Sequence, residues 1–301
     1  MPDIEATSAG ALLGRILSIL FPIVAIVTVG FLYGRRHKPE MSVANRLNMD
    51  IFVPALILGA MASKSFEPTR YAGLAAGAAM LLLTCGLLAW PLARRLGLAW
   101  RTFVPPMMFN NSANIGIPLA VLAFGEEALA AGVILYSVSN VMHFSMGVRM
   151  LDPQASLRTL WRNPTLLAAF GGLAIALLGI PVWQPVVQAL QLLGNVAIPL
   201  LLFALGVRMQ DVRFDALGAS LVGALARPLF GMGLGWLLGQ LLGLGPRDSA
   251  LLILFGALPP AVMNFLFAER YGREPERVAA IVLVGNLAAL LVLPLALGWV
   301  L

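Results

Sequence analysis

Residues 109–118 read FNNSANIGIP, and they lie in the middle of an apolar segment that is long enough to cross a membrane. Pro118 lacks an amide hydrogen, and asparagine and serine side chains compete for backbone hydrogen bonds, so a regular lipid-facing helix is disfavoured here. From Thr102 to Asn111 is nine residues and from Asn114 to Glu126 is twelve, or ~14 and ~18 Å of helix. We therefore predict a helix that is broken near the bilayer centre.

A second interruption follows in the other half of the chain, where residues 258–264 read LPPAVMN. Arg247 to Pro259 is twelve residues and Pro260 to Arg270 is ten, which places this break at a similar depth. Consecutive prolines are tolerated in the first turn of a new helix. Irregular backbone at that depth needs protein or a water-filled cavity around it. The alternative is a pair of proline kinks packed in a bundle without any ligand.

The composition around these two segments is that of a membrane protein. Of the 301 residues, 60% are hydrophobic and 11% are charged, and the mean hydropathy is +0.90, against about 45–50% and about 25% in soluble domains. This balance excludes a soluble globule and a disordered chain. Cys85 is the single cysteine of the sequence, so no disulfide framework or multi-cysteine metal site is expected. No cofactor is expected either. The net charge of +6 is spread over short loops, which disfavours a nucleic-acid partner.

Ten apolar segments are long enough to be membrane spans. We predict an all-α membrane protein with ten transmembrane helices near residues 12–34, 42–63, 71–96, 102–125, 128–149, 164–181, 185–208, 215–243, 247–270 and 277–301. With an external N-terminus, fifteen Lys and Arg residues fall on one side and four on the other. By the positive-inside rule, we expect a multi-pass protein of the cell (inner) membrane with both termini outside the cytoplasm.

The two halves of the chain resemble each other at a nearly constant offset. Trp90 recurs as Trp236 and Asn140 as Asn286, each 146 residues later. We predict two five-helix repeats, residues 1–150 and 151–301. Because five is odd, the second repeat must be inverted in the membrane. Inverted repeats are typical of secondary transporters, whose sites lie at the repeat interface near the midplane.

The two breaks predict a substrate site where the fourth and ninth helices cross. The second half of each broken helix would direct its first N–H groups toward the crossing, which favours a bound anion. Asn140 either lines the same cavity or makes hydrogen bonds between helices. The candidate substrate-binding residues are Asn110, Asn111, Ser112, Asn114, Gly116, Pro118, Asn140, Pro259, Pro260 and Asn264.

Two charged residues are candidates for a charge or coupling role. Arg227 lies in the middle of the eighth span, where a charge costs about 2.5–3.5 kcal/mol on insertion scales. It would attract the substrate, pair with Asp50, or belong to a structural ion pair. Asp50 would couple protons, but Arg46 lies one turn earlier, and an i,i+4 ion pair between them is the favoured interpretation.

The motifs at both breaks resemble those of the auxin efflux carrier family, which includes plant PIN auxin exporters and bacterial permeases of malate or malonate. Asn111, Gly116, Ile117 and Pro118 fit its pattern Asn-x-x-x-x-Gly-[Ile/Leu]-Pro in the fourth helix. The ninth helix of the family carries Leu-Pro and then Phe-Ala-x-x-Tyr, which residues 258–259 and 267–271 fit. PIN proteins have proline just before the conserved asparagine, where this chain has Asn110.

The resemblance implies that helices four and nine cross at the substrate site. It also implies a scaffold of helices 1, 2, 6 and 7 beside a moving, elevator-like transport bundle of helices 3, 4, 5, 8, 9 and 10, often in a homodimer. The Asp and Lys that PIN proteins carry in helix three are missing, since only Thr84 and Cys85 interrupt the apolar run there.

The expected function is transport of a small organic anion, a carboxylate, by alternating access. No G-x-x-x-x-G-K-[S/T] loop is present, so an ion gradient or the membrane potential must drive the movement. An inside-negative potential drives one negative charge outward with ~2.3 kcal/mol per 100 mV. The alternatives are an anion channel and a proton- or sodium-coupled dicarboxylate importer. We do not expect an enzyme, because His37 lies in a loop and His143 has no evident nucleophile beside it.

Overall fold

The computed structural model describes residues 9–63, 66–211 and 217–301, and the regular secondary structure within these ranges is helical. The described residues do not include Lys64 and Arg213, which enter the charge count. They also do not include the first two residues of the predicted eighth span. The helices are α1 (Ala9–His37), α2 (Ser42–Met61), α3 (Pro68–Arg95), α4a (Trp100–Met108), α4b (Ser112–Phe124), α5 (Glu126–Leu151), α6 (Pro164–Leu177), α7 (Gln184–Arg208), α8 (Leu217–Leu241), α9a (Pro246–Ala257), α9b (Met263–Arg270) and α10 (Pro275–Val300).

Seven helices within the described ranges are long and apolar enough to cross a membrane, namely α1, α2, α3, α5, α7, α8 and α10. The fourth and ninth predicted spans are each present as two shorter helices. Counted across its break, each of these spans runs for 25 residues (100–124 and 246–270), or about 37 Å at helical rise. The predicted sixth span is the short helix α6, which has 14 residues.

The same turn closes α3 and α8. Gly97 and Gly243 follow these helices with φ values of +66° and +59°, a left-handed conformation that glycine adopts without strain. The next amide, of Leu98 or Leu244, donates to a carbonyl five residues earlier at 2.9 Å in both cases, which is a Schellman cap. The two turns lie 146 residues apart, as the internal repeat predicts.

Glycines bring two pairs of helices into backbone contact. In α8 they recur at residues 231, 235 and 239, which is the small-residue spacing that allows close helix packing. A Cβ added to Gly231 would overlap the Gly256 carbonyl of α9a, and one added to Gly206 of α7 would overlap the Val27 carbonyl of α1. Each of these pairs therefore has no room for a side chain at its crossing point.

The helices pack as two groups. In the first group α7 packs along α1 and α2, and α2 also packs along α6. In the second, α8 packs on α9a and α10, and α3 packs on α4a and α5. The helix α4b contacts members of both groups, since it lies against α1 and α5. The interrupted segments and the cavity beside them lie between the two groups.

Candidate functional site

The two broken segments cross and pair through their backbones. Asn110 and Pro260 form an isolated antiparallel β-bridge. The amide of Asn111 donates to the Pro259 carbonyl at 2.8 Å, and the amide of Ala261 donates to the Phe109 carbonyl at 3.0 Å. Each break thereby satisfies backbone groups of the other, as irregular backbone inside a membrane protein requires.

Four buried asparagine side chains hold this crossing together. They come from both halves of the chain, at residues 110, 111, 264 and 286. Two of them donate to carbonyls of the broken segments, a third donates to another asparagine of the set, and the fourth reaches the last turn of α9a. The contacts are Asn111 Nδ2 to Asn286 Oδ1 (2.8 Å), Asn286 Nδ2 to the Pro260 carbonyl (3.0 Å), Asn264 Nδ2 to the Phe109 carbonyl (3.1 Å) and Asn110 Nδ2 to the Phe255 carbonyl (2.7 Å). Their amides are used for structure.

A cavity of about 340 Å³ lies directly beside the crossing. The first residues of α4b, Ser112 to Asn114, form one wall, and residues 261–263 at the start of α9b form another. The first amides of a helix have no partner within it, and they carry the positive end of the helix dipole. Two helix N-termini therefore face one cavity, which is the arrangement that the two breaks predict.

Asparagines in this cavity, among them Asn114 and Asn140, have side chains that are free to bind a ligand. Asn114 and Asn140 both line it, and within the described residues neither side chain makes a hydrogen bond. Asn140 lies on α5, opposite α2 and α7, which complete the wall. An amide offers two N–H donors to an anion. Asn114 and Asn140 are therefore available as polar contacts to a substrate.

Charged residues of α2 and α7 also line the cavity. Arg46 and Asp50 both face it, and in the part of the chain that the structure describes they do not form the ion pair that their spacing predicts. A π-helical turn at Asn48–Phe52 falls within this spacing, so the regular i,i+4 geometry on which the predicted pair depends is not kept. Arg208, at the end of α7, adds a second cation to the lining.

Three π-helical turns surround the cavity. They are Asn48–Phe52 in α2, Ser112–Gly116 in α4b and His143–Gly147 in α5, and each supplies lining residues. Such turns are rare and frequently occur at functional sites, because they redirect side chains that a regular helix would point elsewhere. Their coincidence around one cavity supports its role as the site.

Apart from Arg227, the predicted site residues thus separate into three sets. Asn110, Asn111, Ser112, Asn114, Asn140 and Asp50 line the cavity. Pro259, Pro260 and Asn264 shape the crossing beside it. Gly116 and Pro118 lie further along α4b, where a Cβ on Gly116 would come within 2.8 Å of the Leu258 side chain. These last two positions serve the packing of α4b.

Arg227 lies away from the cavity and does not contact Asp50. Its side chain is 1% exposed, and its Nη1 donates to the Gly256 carbonyl at 2.7 Å. That carbonyl belongs to the last turn of α9a, whose orphan acceptors carry the negative end of the helix dipole. In this structure, Arg227 caps the first half of the broken ninth helix.

Several lining residues were not among the predicted site residues. The polar ones are Asn45, Arg46, Asn48, Tyr136, Ser139, His143 and Arg208. A signal for the first three was present, since residues 45–50 place four polar side chains at the start of an apolar span. The α7 wall of Leu201, Ala204 and Leu205 carries no such signal, because apolar residues there look like any lipid-facing or packed helix.

Comparisons with known proteins find membrane transporters. Residues 153–297 match the family described as "Membrane transport protein". The "Putative malonate transporter" of Rhizobium meliloti (strain 1021) is 25% identical over 194 residues, which cover 60% of this chain and 60% of that protein. An uncharacterized transporter of Methanocaldococcus jannaschii is 20% identical over 310 residues, covering 95% of this chain and 98% of the other. The second half of the chain is thus similar to the membrane transport protein family, and both of these relatives are named as transporters.

Proposed function

We propose that this chain carries a small organic anion, a carboxylate, across the membrane by alternating access, and that the anion binds in the cavity beside the crossing of α4 and α9. The observation that carries the proposal is the pair of helix N-termini, of α4b and α9b, that face this cavity together. Their amides, with Asn114 and Asn140, offer a concentration of N–H donors that suits a carboxylate.

The proposed substrate class is a short mono- or dicarboxylate. The Rhizobium relative is named for malonate, and two arginines, Arg46 and Arg208, line the cavity with the amides. One carboxylate would lie at the helix N-termini and a second would face the arginines. A volume of about 340 Å³ leaves room for such a solute with some water.

A second cavity supports a carrier mechanism. It has a volume of about 540 Å³ and lies at the opposite end of α2 and α7, where Gly59, Gln191 and Asn195 line it. Between the two cavities α2 and α7 present fully buried apolar residues such as Val53 and Ala197. Movement of the second helix group along α2 and α7 would expose the site to each end in turn.

The same proposal includes the architecture that transport requires. We propose ten spans in two inverted repeats, with both termini outside the cytoplasm and a homodimer as the assembly. Helices α1, α2, α6 and α7 form the scaffold, and the remaining helices form the moving bundle. The packing of the helices into these same two groups supports this division. The inside-negative membrane potential would then favour export of a monoanion roughly fifty-fold per 100 mV.

A coupled importer is the second candidate, and Asp50 favours it. This residue is the carboxylate among the described residues that line the cavity, and it has no ion-pair partner there. A carboxylate in that position would take up a proton or sodium ion with the substrate. If it does, Asp50→Asn abolishes the dependence of uptake on a pH or sodium gradient while exchange of substrate continues.

Transport in proteoliposomes tests the proposal. The purified chain is reconstituted and loaded with radiolabelled malonate, acetate or another short carboxylate, and flux is followed with and without an imposed potential. We expect saturable flux and counterflow, since a carrier exchanges bound substrate. Flux that rises linearly with concentration, with ohmic current, would instead establish a channel. No flux of any carboxylate above protein-free vesicles would refute the proposed substrate class.

A further inference from the structure

A long apolar groove lies outside the proposed substrate site, between α1, α7 and α10. Its volume is about 660 Å³, and its walls include Ile23, Val27, Leu205 and Leu293. Along α1 the lining extends from Leu20 to Arg35, fifteen residues or ~22 Å at helical rise. The groove is therefore longer than one leaflet of a bilayer, about half of the ~30 Å hydrocarbon core.

The groove opens toward the lipid. Val24 and Leu290 line it, and they are 39% and 52% exposed, so the rim is apolar where a soluble protein would be polar. The inner wall includes Asn286, but its amide is already occupied by the Pro260 and Val282 carbonyls and by Asn111. A small polar solute would thus find no free partner along most of the groove.

One end of the groove carries a positive charge. Arg35 lines that end, and in the part of the chain that the structure describes it forms no ion pair. Arg36 and Lys38 follow directly, where α1 reaches its C-terminus. Basic residues at such a position attract anionic lipid headgroups.

We propose that this groove binds one acyl chain of an anionic phospholipid, with its headgroup phosphate at Arg35. Acyl chains match the length and the apolar lining, and the phosphate matches the unpaired guanidinium. Because α1 and α7 belong to one helix group and α10 to the other, the lipid lies at the seam between them. Transport activity therefore depends on anionic lipid as well as on the substrate site.

Native mass spectrometry of the purified full chain tests this binding after exchange into phosphatidylcholine or phosphatidylglycerol. We expect retention of a single phosphatidylglycerol per chain and weaker retention of phosphatidylcholine. Arg35→Ala should lower the affinity for phosphatidylglycerol about fivefold, the equivalent of about 1 kcal/mol per basic residue at an anionic surface. The matched control, Arg15→Ala, changes an arginine near the opposite end of α1 that does not line the groove, and this variant should retain the lipid.

A second pair of variants tests the apolar part of the groove. Val24→Trp fills it from its rim, whereas Val29→Trp places the same side chain on α1 at a position that is 58% exposed and outside the groove. We expect loss of bound lipid only in Val24→Trp. Equal retention by both variants, equal retention of both lipids, or no retained lipid in the wild type would each overturn the proposal. So would conversion of a dimer to a monomer by Val24→Trp, since the groove would then be a subunit interface.

Discussion

At the residue scale, the asparagine side chains of this site serve two different purposes. Asn114 and Asn140 face the cavity with free amides, whereas Asn111 and Asn286 bond to each other across the crossing. The first pair should therefore contribute to substrate affinity and the second to stability. These contributions can be separated by measuring transport and unfolding on the same variants.

Removing a free amide should weaken substrate binding without unfolding the protein. A hydrogen bond to a charged group contributes about 1.5–3 kcal/mol, so Asn114→Ala or Asn140→Ala should raise KM between about 10- and 100-fold. Thermal unfolding in detergent should be unchanged. Ser145→Ala is the control on α5, because this hydroxyl bonds to the Val141 carbonyl within its own helix. A normal KM in both asparagine variants would exclude them from the site.

Removing an amide that holds the crossing together should instead lower the stability and leave the substrate affinity nearly unchanged. In Asn286→Ala the Pro260 carbonyl and the Asn111 amide lose their buried partners, which should cost about 1–3 kcal/mol of unfolding free energy. We expect a lower Tm, and the folded fraction should retain a KM within a few-fold of the wild type. A Tm equal to that of wild type would show that the crossing does not depend on this residue.

The sequence could identify the asparagines but could not separate these roles. The interruption at residues 110–114 follows from local chemistry, since three asparagines and a proline disfavour a helix wherever they occur. Whether an amide is free depends on which carbonyl lies opposite it. For Asn110 that carbonyl is Phe255, which is 145 residues away in the sequence.

At the element scale, the contact between α8 and α9a should be the least tolerant of added volume. A methyl group on Gly231 would overlap the Gly256 carbonyl, whereas one on Gly233 would meet no atom within 4 Å. Gly231→Ala should therefore lower the unfolding free energy by about 1–3 kcal/mol or more, and Gly233→Ala should leave it unchanged or raise it by up to about 1 kcal/mol. Thermal unfolding of the two variants in one detergent measures the difference. Equal Tm values would show that the two helices separate easily.

The elements were the most predictable part of the molecule, and the π-helical turns were the exception. Long apolar runs predict the helices, and Pro259 with Pro260 predicts the second interruption. A π-helical turn inserts one residue into a helix and depends on the packing around it. For this reason the turn at Asn48–Phe52 was not foreseen, and the expected ion pair between Arg46 and Asp50 was wrong.

At the scale of the whole molecule, the two cavities constrain how a solute crosses. They lie at opposite ends of α2 and α7. Their positions therefore depend on how two groups of helices pack together, and the helices that meet are more than a hundred residues apart in the sequence. The sequence predicts the repeat and the charge bias, but it contains no local signal for either cavity wall. The apolar residues of α7 belong to a cavity only because another group lies beside them.

The two cavities should open alternately, and they should open to opposite sides of the membrane. On a Cys85→Ala background, Asn45→Cys reports on the first cavity and Gln191→Cys on the second. In the topology proposed above, the end of the molecule that holds the first cavity faces the cytoplasm. A membrane-impermeant thiol reagent should therefore modify Asn45→Cys from inside and Gln191→Cys from outside. Leu47→Cys and Leu192→Cys, neighbours that do not line the cavities, should react slowly. If substrate speeds one of these reactions, it should slow the other, because a carrier opens to one side at a time. Acceleration of both reactions by substrate would indicate a continuous channel.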